Sequence, residues 1–453
     1  MRAVKIAAYV AAGLVGLVIV ALLLIVLFVD PNDYRDDIER IVEQKTGREL
    51  ALDGELKLSV FPWLALETGP ASLGEAPGFG DEPFVSIQGA RVSARLLPLL
   101  RGKLEVGTVR LSGARIRLIT DEQGRTNWSD LGSQDEAQAP TGDTTPAELP
   151  TIAGLQIEDA AITIENRQDD TRRVVRDFDL ETGRLRSGEP FDLTTAFVLD
   201  QDSTLSVNVH LAATVTADLE RNAHRLAEPE IAITLSGSGY PAEGVPVQIR
   251  ANLLEADIGQ ERYRLDGLTA TTTWKSDGLP AQGVPVSLSA QALGANLAAQ
   301  TLELTGLDLT LAGARLSGAL NGVEILDAPR LEGPLGLEPL SPREWLPKLG
   351  IELPPTKDPE VFKRLAFSGK VALTKSSADI RDIMLQLDDT TAKGTVGVAD
   401  FDAKALRFDL NVDRIDADRY LAPAEEGAAD AGAEEPPTQI GRASCRERVS
   451  TIV

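Results

Sequence analysis

Residues 205–219 read Leu-Ser-Val-Asn-Val-His-Leu-Ala-Ala-Thr-Val-Thr-Ala-Asp-Leu. Every second position is apolar: Leu205, Val207, Val209, Leu211, Ala213, Val215, Ala217 and Leu219. Period two sends alternate side chains to opposite faces, so this stretch predicts a long strand with one apolar and one polar face. Working outward, the same period recurs at Leu50, Leu52, Leu56, Leu58 and Val60 on one side. On the other it recurs at Ile231–Leu235, Val245–Leu253, Leu307–Leu311 and Leu406–Val412. Slips of one residue, such as Ser112-Gly113 between Leu111 and Ile116, predict bulges that bend and twist a sheet. The chain is therefore mainly β, its strands mostly antiparallel. Alternation of this kind fits a sandwich, a barrel or an open sheet rolled into a trough.

The N-terminus carries a different signal. The 24 residues from Ile6 to Val29 contain no charge. As a helix they reach roughly 36 Å, enough for a hydrocarbon core of about 30 Å. Arg2 and Lys5 precede the run, and Asp30, Asp33, Asp36 and Asp37 follow it. The excess of basic residues on the first side predicts a cytoplasmic N-terminus and an exported body. The run is too long for a cleaved leader and ends without a small-residue cleavage pattern. A short amphipathic helix is predicted next, capped by Asn32 or Asp33, with Tyr34, Ile38, Ile41 and Val42 on one face and Gly47 as its stop. A second helical piece is predicted at Pro342–Leu349, with Ser341 as cap and a Pro at the first helical position.

The resulting organisation is an anchor at 1–30, a helix-plus-β module at 31–131, a polar disordered loop at 132–150, a β-rich body at 151–421 and an acidic linker at 422–439. Residues 440–453 switch abruptly to a basic composition and resemble the translation of a sequencing-library adapter. They are set apart from fold reasoning, and the protein is expected to continue beyond this chain.

The net charge of −24 excludes a nucleic-acid partner, which needs basic stripes. One cysteine excludes an internal disulfide, and two histidines leave almost no material for a metal site. His210 falls on the polar side of its strand, and neither it nor His224 has a partner at ligand spacing. No nucleophile elbow, phosphate loop or metalloprotease motif is present. Asp30-Pro31-Asn32-Asp33 reads as an exit turn and helix cap in preference to a calcium loop. The expectation is a protein that is not an enzyme and holds no cofactor and no metal.

Several short motifs resemble the AsmA family of bacterial envelope proteins. They are Asp30-Pro31-Asn32-Asp33-Tyr34, Thr46-Gly47-Arg48-Glu49-Leu50, Phe61-Pro62-Trp63-Leu64, Ala76-Pro77-Gly78-Phe79-Gly80, Leu97-Pro98-Leu99-Leu100 and Gly124-Arg125-Thr126-Asn127-Trp128. A later block has Ser341-Pro342-Arg343-Glu344, Leu349-Gly350-Ile351-Glu352-Leu353-Pro354, Leu387-Asp388-Asp389-Thr390-Thr391 and Ile415-Asp416-Ala417-Asp418-Arg419-Tyr420-Leu421. Singly these are weak; their order and spacing make the resemblance specific. It implies a Gram-negative inner-membrane protein with a periplasmic body, whose long twisted antiparallel sheet forms an open apolar trough that conducts phospholipid. It also implies a second role, assistance to outer-membrane protein assembly through pairing of a sheet edge with client strands. The candidate groove residues are Leu50, Leu52, Leu56, Leu58 and Val60 with Val207, Val209, Leu211 and Val215. The expected partners are phospholipid, the inner membrane through residues 6–29, and outer-membrane proteins. Alternation alone leaves a sealed core and a trough wall equally open.

Overall fold

The computed structural model describes residues 30–60, 63–99, 105–131, 151–201, 204–276 and 278–423. The expected transmembrane segment 6–29, the polar loop at 132–149, nearly all of the acidic linker and the tail from 440 lie outside these. No helix among the described residues is long and apolar enough to cross a membrane. The chain forms two compact units, Met1–Glu220 and Arg221–Val453.

In the first unit a 3₁₀ turn, Pro31–Tyr34, runs into helix α1 (Arg35–Thr46). The cap is Asp30, whose carboxylate accepts from the Asn32 N–H at 2.9 Å, not Asn32 or Asp33. Asn32 and Asp33 fall inside the 3₁₀ turn, so their own side chains are free for other work. Gly47 ends the helix as expected, left-handed at φ 70°, its N–H donating to Glu43 O at 2.7 Å.

Eight strands follow: β1 (Leu50–Ala51), β2 (Leu56–Ser59), β3 (Trp63–Thr68), β4 (Ala71–Leu73), β5 (Val85–Ile87), β6 (Gly89–Arg95), β7 (Glu105–Ser112) and β8 (Arg115–Thr120). A four-residue helix, α2 (Leu96–Leu99), follows β6. The strands pair off into two branches, β2–β3–β6–β7 and β1–β4–β5–β8. Both branches end on β9 (Thr151–Asn166), β7 against its first half and β8 against its second. These last two pairings are parallel, in a sheet that is otherwise antiparallel among the described residues, as the mostly antiparallel reading allows. The chain between Thr120 and Thr151 is long enough to carry the strand direction back across the sheet, as a parallel crossover requires. Beyond β9 the sheet is an antiparallel meander of β10 (Thr171–Thr182), β11 (Pro190–Gln201) and β12 (Leu205–Asp218).

The second unit is a pure antiparallel meander from β13 (Ala223–Gly237) to β24 (Ala405–Val412). β14 (Val245–Arg250) and β15 (Leu253–Asp257) act as one interrupted strand between β13 and β16 (Arg262–Trp274). Then come β17 (Val284–Asn296), β18 (Thr301–Leu311), β19 (Ala314–Val323), β20 (Arg330–Leu340), β21 (Leu365–Thr374), β22 (Ala378–Leu387) and β23 (Thr390–Asp400), each paired with the next. The helical piece at Pro342 is one α-turn, α3 (Pro342–Trp345), followed by a 3₁₀ turn to Leu349, with Ser341 as the cap.

The slip read at Ser112-Gly113 is not a bulge: the register against β9 is the same before and after it, and the glycine breaks the chain between β7 and β8. Gly113, Gly267 and Gly306 have φ of 58°, 64° and 60°. Each lies against the side chain of Gln88, Asn252 or Gln291, where a Cβ would overlap it. Of the three, Gly306 coincides with a register shift, the bulge of β18 against β19 between Leu304 and Leu307, and a left-handed glycine accommodates such a site without a Cβ penalty.

Candidate functional site

Following the pairing register across the first unit places one residue per strand in a row. Leu50, Leu73, Val85, Ile116, Ile162, Val175, Leu199 and Val207 are consecutive cross-strand partners. Every member is apolar and every member is half-buried. A second row on the same β9–β12 face joins Leu56, Thr68, Ala90, Leu111, Ile157, Leu180, Thr195 and Leu211. The opposite face is polar where it matters: Lys57, Glu67, Arg91, Arg110, Gln156, Glu181 and Thr194 stand in one register, with Arg91 bonded to Glu67 at 2.5 Å.

The second unit repeats the device. Leu288, Leu309, Leu316, Leu337, Phe367, Leu385, Ala392 and Val412 form a row across eight strands. All but Ala392 are half-buried. Its other face carries Ser289, Asp308, Ser317, Gly336, Ser368, Met384, Lys393 and Asn411 in register. A leucine inside a closed sandwich is packed from both layers and loses its solvent contact. Here the large side chains of the row from Leu50 to Val207 and of the row from Leu288 to Val412 are half-buried. At about 4.8 Å between strands, each row is roughly 34 Å long. That is about twice the ~15 Å one leaflet's chains span.

The candidate groove residues divide. Val207, Val209, Leu211 and Val215 share one half-buried face of β12, opposite Leu199, Phe197, Thr195 and Phe191. Leu50 and Leu58 are half-buried, and Leu58 pairs with the exposed Leu66, itself paired with the exposed Val92. Leu52, Leu56 and Val60 are buried, Leu52 and Leu56 in a small cluster with Ala71. The cause is the bend between β1 and β2, where α1 lies across the strand edge. Asn32 accepts from Leu56 N–H at 2.9 Å and donates to Leu56 O at 3.1 Å. Arg35 donates to Gly54 O at 2.6 Å, and Leu52 N–H donates to Glu39 at 2.9 Å. The edge that would otherwise offer unpaired backbone groups is covered.

Of the second-unit row, Leu309 and Val412 lie in runs whose alternation was read from sequence, but none of the row was named as a groove residue. Alternation was the available signal, but Gly318, Gly322, Gly333, Pro334 and Gly336 interrupt it in β19 and β20.

The short motifs turn out to be joints. Arg48 is fully buried. It donates to the Asp130 carboxylate at 2.5 and 3.1 Å and to Asn127 O at 2.6 Å, and lies 4.6 Å from the centre of the Phe84 ring. Asn127, also fully buried, accepts from Ile119 N–H at 2.8 Å and donates to Glu75 at 3.0 Å and Arg117 O at 2.9 Å. Burial would raise the Asp130 carboxyl, but the hydrogen bond and charge of Arg48 outweigh it and hold it below the usual range. In the second unit Asp388 accepts from the N–H groups of Phe362, Lys363 and Arg364 at 2.7, 2.8 and 3.0 Å and from the Tyr420 hydroxyl at 2.8 Å. Burial opposes ionisation of Asp388, and these four donors overcome it, so its carboxyl also sits low. Burial and the neighbouring Asp388 push the Tyr420 phenol up to about 12.

His210 is exposed on the polar face of β12 opposite Ala196. No group of three or more His, Cys, Asp or Glu among the described residues could hold a metal ion.

The comparisons with known proteins come down to one family and one relative. Over 235 residues the chain is 31% identical to Protein AsmA of Escherichia coli strain K12, a match covering 49% of this chain and 36% of that protein. The chain thus matches little more than a third of its relative's length. No solved structure matches. The AsmA family model matches residues 1–440, leaving only the adapter-like tail outside. The chain belongs to the AsmA family.

Proposed function

We propose that this protein is an inner-membrane-anchored, periplasmic carrier or conduit for phospholipid, and that the apolar rows are where acyl chains lie. The observation that carries the reading is the half-burial of the large side chains in two rows, the one from Leu50 to Val207 and the one from Leu288 to Val412. An apolar face left open to water is unfavourable, and an acyl chain laid on it gains about 0.8 kcal/mol per CH₂ removed from water. Such a surface needs no reactive group, and it tolerates Leu, Val, Ile or Ala at any lining position. AsmA family membership supports an envelope role, and the uncharged run Ile6–Val29 supports the anchor.

The test is lipid mass spectrometry on the protein purified in mild detergent, together with photo-cross-linkers at Val207, Leu211 and Leu309 and, as controls, at Asn208 and Ser317. Phospholipid bound to the protein and captured from the first three positions alone is the expected result. No bound lipid, with cross-links only to protein, overturns it.

A second reading is favoured by a separate observation. Among the described residues β24 pairs only with β23, and Leu406 on it is 73% exposed. An open apolar edge of this kind accepts a further strand, as an outer-membrane protein in assembly would supply. Cross-links from β24 to a client strand, with no lipid on the rows, would favour it.

A further inference from the structure

Helix α1 is attached to its sheet by its polar side. Asn32, in the turn before it, and Arg35 and Glu39 within it make bonds to the first residue of β2 and to the bend between β1 and β2. Val42 is half-buried on that same side, but the other apolar residues point elsewhere. Tyr34, Ile38 and Ile41 recur at i, i+4 and i+7, so they form one stripe, and they are 54%, 37% and 52% exposed. A helix on the surface of a water-soluble domain is built the other way round.

The chain enters this helix directly from the uncharged run Ile6–Val29. Only Asp30, Pro31, Asn32 and Asp33 separate Val29 from Tyr34, a reach of at most about 18 Å even if fully extended. The stripe therefore begins at the membrane surface if that run crosses the bilayer.

We propose that Tyr34, Ile38 and Ile41 seat α1 in the interfacial layer of the bilayer, with the helix axis in the membrane plane. The inference rests on the anchor reading of residues 6–29. Lys45 continues the stripe one turn beyond Ile41, where its long side chain reaches lipid phosphates. Asp36 and Glu43 lie on the side of the helix away from the stripe and stay in water. The helical segment carries more acids than bases, so the attraction is apolar, not electrostatic. The seat is accordingly made with neutral phospholipid, and anionic lipid does not strengthen it. Because α1 also covers the β1–β2 edge, the seat sets the first strands of the apolar rows against the bilayer, where a chain leaving the leaflet would meet Leu50 and Leu58.

The test uses the full chain with Cys445→Ser, reconstituted into phosphatidylethanolamine vesicles. Ile38→Cys, Ile41→Cys, Asp36→Cys and Glu43→Cys each carry a polarity-sensitive fluorophore. All four sites are on the surface of the helix, so labelling leaves the fold intact. Nitroxide-bearing lipids should quench the probes at 38 and 41 several-fold more than those at 36 and 43. Added phosphatidylglycerol or high salt should leave that ratio unchanged. Equal quenching at all four sites overturns the seat. So do probes at 38 and 41 that are dry but unquenched, since protein then covers the stripe. A ratio that grows with phosphatidylglycerol and falls with salt overturns the apolar mechanism. Alkaline extraction reads the anchor independently: protein that stays in the membrane with aqueous probes loses the seat alone, while protein that washes out loses the anchor as well.

Discussion

Leu50 and Val207 are the two ends of a single cross-strand row, eight strands wide and apolar at each step. Residues 157 positions apart in sequence thus act on one surface. Its members are half-buried, whereas Leu52, Leu56 and Val60, which look alike in sequence, are buried.

Val207→Asp should leave a folded, β-rich protein, destabilised by about 1 kcal/mol, because a carboxylate on a half-buried face can turn to water. Its phospholipid content should fall. Leu56→Asp should unfold the first unit, since it buries an unpaired charge, and Leu56→Ala should cost about 2–4 kcal/mol. Circular dichroism with urea denaturation reads both. Equal unfolding by Val207→Asp and Leu56→Asp would show that the row is sealed.

The Arg48 joint should respond asymmetrically. Asp130→Ala strands a fully buried guanidinium and should cost about 3–5 kcal/mol. Arg48→Met leaves a carboxylate that is 43% exposed and should cost less, about 2 kcal/mol. Arg48→Lys should not restore stability, because an ammonium cannot reproduce the fork that reaches both Asp130 oxygens and Asn127 O. Denaturant midpoints for the three variants give the order directly.

The Asp388–Tyr420 joint should be sensitive to pH at both extremes. The folded carboxyl is depressed, so its stabilisation is complete above the ordinary carboxylate pKa of about 4 and is lost as pH falls through the lower folded value. The folded phenol is raised, so its stabilisation is complete below about 10 and is lost as pH climbs towards about 12. Asp388→Asn should abolish most of the acid dependence of this joint and free the segment around Tyr420. It should also relax Phe362, held at φ 61° with its ring 5.1 Å from that of Tyr420. Limited proteolysis near residues 415–421 at several pH values is the measurement; cleavage unchanged by the substitution would mean the segment is held by other contacts.

The left-handed glycines packed against a side-chain amide should resist substitution. Gly267→Ala forces a side chain into the left-handed region and against the Asn252 amide, and should cost about 1–2 kcal/mol. Combining it with Asn252→Ala should recover the steric share and leave the backbone share, a coupling that a double-mutant cycle isolates. Strict additivity of the two substitutions would show that Asn252 does not crowd position 267.

Much was legible before any coordinates. The period-two runs located β2 and β12, Gly47 and Ser341 marked their helix ends, and the slip at Gly113 marked the break between β7 and β8, because each is a local consequence of backbone sterics. Local information also fixes which side chains of a strand share a face. Alternation did not distinguish Leu56, buried beneath the β1–β2 bend, from Val207, which is half-buried, since burial depends on what the rest of the chain lays over a residue. Only the tertiary structure made Leu50 a partner of Val207, turned β9 parallel to β7 and β8, and revealed Arg48 and Asp388 as joints. Each of these depends on pairings between residues far apart in sequence, whose energy arises when distant backbone donors and acceptors meet, and no window of sequence contains both halves.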